Sequence, residues 1–248
     1  MNTFHRVCKL DRSGKPRLNS LGWISANWSG YAISGRTKSF RRISAKWYVP
    51  FVRPSSTSSY SSAWIGIDGF GNMSLIQTGT GHDYVNGRAE YYAWWEILPD
   101  VMTLIPMPVK PGDRMHAVIT KVRGSTWLIY MRNATQNWTF RKTKRYTGPQ
   151  SSAEWIVEAP QVGTDIARMA QITPVSFSCC RLNGKNPKLT TDDRGIMLQD
   201  EMITSVPGEP NRAGDAFTVK NTVNLSTGMI AGKSSRKKAG RVRHRITK

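Results

Sequence analysis

The chain has 248 residues, 39% of them hydrophobic, with nine Trp, eight Tyr, seven Phe and a formal net charge of +20. That aromatic and apolar mass suits one substantial core and excludes a largely disordered polypeptide. No window is apolar and long enough to span a bilayer, the 3 cysteines make neither a disulfide framework nor a zinc spacing, and no apolar stretch near the start reads as a secretory signal.

Taken in chain order, residues 1–26 read as an irregular arm. Its first 18 residues carry five Lys or Arg against Asp11. From Trp28 the pattern changes. Short runs rich in Trp, Tyr, Val, Ile and Thr recur between clusters of Gly, Pro, Asn and Ser, which predicts an all-β sandwich or barrel over residues 27–228. Ile43–Val49 alternates, with Ile43, Ala45, Trp47 and Val49 on one face. Ala63–Asp68 and Ser74–Thr80 are apolar runs divided by a Gly-rich turn. His82–Val85 and Arg88–Tyr92 flank Asn86-Gly87, a hairpin turn whose two positions need positive φ, and the second arm continues to Leu98. Met115–Val122 and Thr126–Arg132 form a further hairpin across Arg123-Gly124-Ser125. Trp138–Arg145, Ala153–Glu158, Ile172–Ser176, Ile196–Gln199 and Ala216–Val219 are the remaining strands, with Thr164–Ala170 as a one- or two-turn helix and Val206–Gly214 as a long loop. Residues 229–248 read as a disordered basic tail. Residues 233–248 hold eight Lys or Arg and no acid, which suits either polyanion contact through charge alone or a solvated extension without a dedicated partner.

The body lacks a Gly-x-Ser-x-Gly elbow, a His-Glu-x-x-His pair and a phosphate-binding Gly loop, and its 4 His include His5 and His244 in the terminal segments. A His-based triad or multi-His metal site is therefore poorly supplied, and no metal or cofactor is expected. Carboxylates and amides within apolar strands remain. Alternation places Trp64 with Asp68, Leu75 with Gln77, Trp94 with Glu96, and Glu154 with Ile156 and Glu158. Burying such groups without partners costs several kcal/mol, so a strand that keeps one has a partner or a use for it.

The blocks Asn27-Trp28-Ser29-Gly30-Tyr31-Ala32, Ala63-Trp64-Ile65-Gly66-Ile67-Asp68-Gly69, Leu75-Ile76-Gln77-Thr78-Gly79, Tyr92-Ala93-Trp94-Trp95-Glu96-Ile97-Leu98-Pro99, Pro111-Gly112-Asp113 and Ala153-Glu154-Trp155-Ile156-Val157-Glu158 occur in an order and spacing that resemble the glutamic peptidase (eqolisin) family. The resemblance covers roughly residues 27–160. It implies a sandwich of two antiparallel sheets, of the concanavalin-like or jelly-roll type, with an active site on a concave sheet face. It implies Gln77 and Glu158 as the catalytic pair of an endopeptidase favouring acidic pH, supported by Trp64, Asp68, Trp94 and Glu96. Glu96 and Asp68 would orient Gln77. Glu154 shares the Glu158 face and competes with it for the acid role. The family also implies a polypeptide substrate and secretion, and the chain is expected to be a monomer. The chain departs from the family in being basic and in following Glu158 with Ala159-Pro160 where the family tends to have Asp-Phe. Two rival readings stand beside this one. In a carbohydrate-active jelly roll, Glu96 and Glu158 would be the acid pair and the Trp residues sugar platforms. In a binding module, the fold persists without activity.

Overall fold

The computed structural model describes residues 5–10 and 16–226, with side chains from residue 22 to residue 222. The tail read over residues 229–248 lies outside the described residues. The strands are β1 (His5–Leu10), β2 (Pro16–Ser25), β3 (Trp28–Ser34), β4 (Arg42–Tyr48), β5 (Ser62–Ile67), β6 (Ile76–Val85), β7 (Arg88–Ile97), β8 (Thr103–Ile105) and β9 (Arg114–Arg123). They continue with β10 (Thr126–Asn133), β11 (Trp138–Arg145), β12 (Ser152–Glu158), β13 (Gln161–Val162), β14 (Asp165–Ile166), β15 (Val175–Leu182), β16 (Arg194–Gln199), β17 (Met202–Pro207) and β18 (Phe217–Ser226). Among the described residues the sole helical element is a 3-10 turn at Thr191–Asp193.

Two layers result. One runs β11-β10-β9-β4, and the other runs β18-β17-β16-β3-β12-β5-β6-β7-β8. β15 joins them: Val175–Phe177 pairs with β18, and Ser178–Leu182 pairs with β4. The switch falls at an irregular register around Cys179, whose φ is 50°. A strand that bends from one sheet into the next is a common corner in packed sheets.

Alternation builds the core between the layers. In β4, Ile43, Ala45 and Trp47 point inward, and in β12, Trp155 and Val157 point to meet them. The buried indoles are satisfied across the gap, since Trp155 Nε1 donates to Ser44 O at 3.1 Å and Trp47 Nε1 to Thr80 Oγ1 at 3.0 Å. Truncating either Trp would cost about 3–5 kcal/mol. A second cluster, containing Trp23, Trp28, Trp64, Leu75, Trp94 and Ile156, lies on the other face of the second layer.

The Asn86-Gly87 hairpin forms as expected, with φ of 50° and 78° and Val85 paired to Arg88. Other expectations change. Within the expected irregular arm, the described stretches are strands: β1 and β2 pair with each other, and β2 lies parallel to β16. Trp23 anchors that parallel contact, donating Nε1 to Asp193 O at 3.0 Å over Gly195, where a Cβ would meet the indole at 2.1 Å. The partner is distant in sequence, and local composition does not reveal it. Ser74–Thr80 and His82–Val85 fuse into the single strand β6. The expected helix at Thr164–Ala170 is instead the return of the small β13–β14 hairpin, turned at Gly163 with φ 64°. The strand expected at Ile172–Ser176 starts later, at Val175, because Pro174 has no N–H for a ladder. β17 takes in Val206 and Pro207 from the expected loop.

Candidate active site

Glu158 closes β12, opposite Trp28 of β3 and Ser62 of β5. Alternation turns its carboxylate away from the sandwich core, and three uncharged donors meet it. Asn27 Nδ2 and Trp28 Nε1 reach Oε1 at 3.1 and 3.0 Å, and Trp64 Nε1 reaches Oε2 at 2.8 Å. The two indoles brace each other edge to face, with centroids 4.9 Å apart. Burial pushes the Glu158 carboxyl up to about 7; the three donors pull it down, and the charge of Glu96 adds to the rise. A carboxyl in that range can exchange a proton in either direction near neutrality.

Gln77 sits in β6, two strands from β12 across β5, directly opposite Glu96 of β7. Its Nε2 donates to Glu96 Oε2 at 2.5 Å. An ionised Glu96 accepts only, so in that state the amide nitrogen of Gln77 faces it. Gln77 Oε1 is buried and accepts no hydrogen bond from the described residues. Burial raises the Glu96 carboxyl; the Gln77 amide and the Met102 N–H oppose the rise. Gly79 is needed between Gln77 and the floor of the cleft, because a Cβ there would lie 2.5 Å from the Cβ of Trp64.

Gln77, Glu96, Glu158 and Trp94 line one cleft of about 730 Å³, walled also by Trp28, Leu75 and Met102. Trp64 is fully buried and reaches the cleft only through its bond to Glu158. The structure thus brings together five of the seven site residues expected from sequence. The other two go elsewhere. Asp68 follows the last residue of β5 with a φ of 70°, which ends the alternation and swings its carboxylate away from Gln77. It accepts instead from Tyr146 Oη at 2.6 Å and from the Gln150 and Ser151 N–H groups at 2.8 Å, with Asn72 Nδ2 at 3.3 Å. Asp68 therefore ties the cleft rim at Gly69–Asn72 to the segment before β12, and the expectation that it orients Gln77 is corrected. Glu154 does face the Glu158 side, but it is fully buried and does not line the cleft. Its oxygens lie beside Ser152 Oγ and the Phe70 N–H without a well-formed hydrogen bond, and burial holds the carboxyl well above its usual range.

Sequence reasoning missed Asn27 and Trp28 as partners of Glu158, although both stand in the first resembling block. It also missed Asp83, which the alternation from Gln77 through Gly79 and Gly81 carries to the far end of the same cleft. Asp83 is buried, accepts from Tyr92 Oη at 2.8 Å and Ser61 N at 3.1 Å, and is pushed up to about 6 by burial. On the opposite face of β6, His82 bridges Ser61 and Thr80 inside the sandwich, where burial drops it to about 3 and keeps it neutral.

A cleft on a sheet face that gathers carboxyls raised by burial and a carboxamide suits a β-sandwich hydrolase. The Peptidase A4 family model matches residues 26–224. Aspergillopepsin-2 of Aspergillus niger is 26% identical over 220 residues, covering 79% of this chain and 77% of that protein. Among solved structures, scytalido-glutamic peptidase with a transition state analog inhibitor superposes with a TM-score of 0.68 at 20% identity, covering 79% of this chain and 98% of that one. Aspergilloglutamic peptidase from Aspergillus niger superposes with a TM-score of 0.55 at 23% identity, covering 66% of this chain and 99% of that one. The chain belongs to the Peptidase A4 family, the glutamic peptidases or eqolisins. It is a glutamic endopeptidase with a polypeptide substrate, which sets aside the carbohydrate-active reading.

Proposed function

We propose that Glu158 and Gln77 are the catalytic pair, working on a peptide bound along the concave face. The observation that carries this reading is the setting of Glu158: a carboxyl raised to about 7, held by three uncharged donors, in the cleft that Gln77 also lines. Ionised Glu158 takes a proton from a water, and the water attacks the scissile carbonyl. The second N–H of Gln77 Nε2, not used by Glu96, supports the oxyanion, a contact commonly worth about 3 kcal/mol. Protonated Glu158 then delivers the proton to the leaving amine. Glu96 is a positioning residue that fixes the amide. Trp94, Leu75 and Met102 grip apolar parts of the peptide.

Glu158 must start ionised, so an ordinary Glu, titrating near about 4.3, would carry this cycle from mildly acidic pH upward. The raised Glu158 moves that acid limb up toward about 7. The test is digestion of a denatured protein from acid to neutral pH by wild type, Gln77→Ala and Glu158→Gln. Cleavage by wild type alone supports the pair; cleavage that survives Gln77→Ala removes it.

A further inference from the structure

The outer face of the other layer has the opposite character. β4, β9, β10 and β11 together hold ten Lys or Arg and no Asp or Glu. Alternation turns Arg42, Lys46, Arg114, Arg132, Arg141 and Arg145 outward, and all six are exposed. Register aligns Lys46, His116 and Arg132 in one row across three strands, and Val118, Tyr130 and Arg141 in the next. Among the described residues the one ion pair is Arg181–Asp215, so none of these six cations is neutralised by a carboxylate. His116 feels the concentration of charge: burial and then Lys46, Arg42 and Arg132 hold it below its ordinary range.

We propose that this face binds single-stranded nucleic acid. Three features of the face select that partner. Five of the six outward cations are Arg, whose planar fork matches phosphate oxygens two at a time. The cations stand on a four-stranded surface with neighbouring strands about 4.8 Å apart, so a strand of phosphates crossing the sheet meets several of them. Aromatic surface is interleaved with the charge. Tyr48 is 57% exposed, and Tyr130 lies under the Arg141 guanidinium at 5.3 Å, edge-on to His116 at 5.8 Å. Exposed rings on a sheet are platforms for unpaired bases, which a duplex does not offer. The face backs onto the core opposite the cleft, so both surfaces can be occupied at once.

The test uses the full chain, so that the terminal cations are the same throughout. Binding of labelled oligo(dT) is followed by fluorescence polarisation across a salt series for wild type, for Lys46→Gln/Arg132→Gln/Arg141→Gln and for Tyr48→Ala. The triple variant is expected to bind at least about tenfold more weakly at 0.1 M salt, with a salt slope shallower by about 2, or about 0.7 per lost contact. Tyr48→Ala is expected to weaken binding with its slope unchanged, because stacking is uncharged. Both variants should cleave a short peptide at the wild-type rate, which shows that they fold. Wild-type affinity and slope in the triple variant would overturn the proposal, as would unchanged affinity in Tyr48→Ala. An equal loss of binding to heparin or to phosphatidylserine vesicles would replace it with unselective polyanion attraction.

Discussion

The sandwich has two outer faces, and charge is handled differently on each. The cleft on one of them is lined by Asp83, Glu96 and Glu158 and, among the described residues, by no Lys or Arg, in a chain of net charge +20. Its carboxyls are buried or half-buried, and each is tethered by neutral donors that leave its charge uncompensated. The opposite face spreads exposed cations with no acid among them. Buried carboxyls without counter-charge titrate far from their ordinary values, which is what proton transfer requires. Exposed cations keep their charge at every physiological pH and act at a distance. One face is built for chemistry and the other for attraction.

The strongest way to break this contrast is to remove the chemistry. Glu158→Gln keeps the shape but cannot exchange a proton, and its NH2 cannot accept from the donors on one of the two oxygens. It should lower kcat by about three orders of magnitude or more, and Gln77→Ala by about two to three. Single-turnover assays on a fluorogenic peptide would measure both; a loss under tenfold in either would assign catalysis to other residues.

Asp68 comes next. Its carboxylate is fully buried and gathers the Tyr146 hydroxyl and two backbone N–H groups. Asp68→Ala strands these donors, at about 1–3 kcal/mol each, so urea unfolding should show a loss of about 3 kcal/mol or more. KM should rise with it, since the rim at Gly69–Asn72 loses its tie. A variant as stable as wild type would show that the hub contributes nothing.

The two faces also compete in their response to pH. Asp83 and Glu158 sit at about 6 and 7, above their unfolded values. The stability they contribute is fully present below the ordinary carboxylate range and is lost as pH rises through 6 and 7. The cations oppose this, because protonating carboxyls raises an already large positive charge. Salt near 0.5 M screens the exposed cations and leaves the buried carboxyls little affected. Stability in such salt should therefore rise by about 4 kcal/mol from pH 8 to pH 5, about one pKa unit from Asp83 and two from Glu158 at about 1.4 kcal/mol each. Asp83→Asn should flatten part of that rise. A flat wild-type profile would mean that neither carboxyl is raised.

Much of this contrast was legible in the sequence. Period-two patterning located most of the second layer and placed Trp94 with Glu96, because both faces of a strand are written into alternate residues. The Asn-Gly turn was legible because its chemistry is local. What failed was non-local or conformational. β2 needs β16, which lies far along the chain. Alternation assigned Asp68 to the cleft, and one left-handed residue at the strand end reversed it. Glu154 obeys the alternation, but depth beneath a rim loop is not written into periodicity. The basic face went unread because its charges are scattered over four strands and converge only through pairing.

The smallest effect is the most specific probe of the acidic face. Trp28 and Trp64 each give one indole N–H to Glu158, at 3.0 and 2.8 Å. Phe preserves the edge-to-face contact between the rings but donates nothing. Each hydrogen bond favours the ionised carboxylate, so its loss raises the Glu158 pKa further. The low-pH limb of kcat/KM should move up by about one unit in Trp64→Phe and by somewhat less in Trp28→Phe, whose bond is longer and shares its oxygen with Asn27. The rate above that limb should stay near wild type, because ionised Glu158 remains the base. Trp94→Phe is the control: Trp94 walls the cleft without bonding Glu158, so it should change KM and leave the limb in place. If all three variants lose rate equally at every pH, the indoles merely pack, and the limb reports some group other than Glu158.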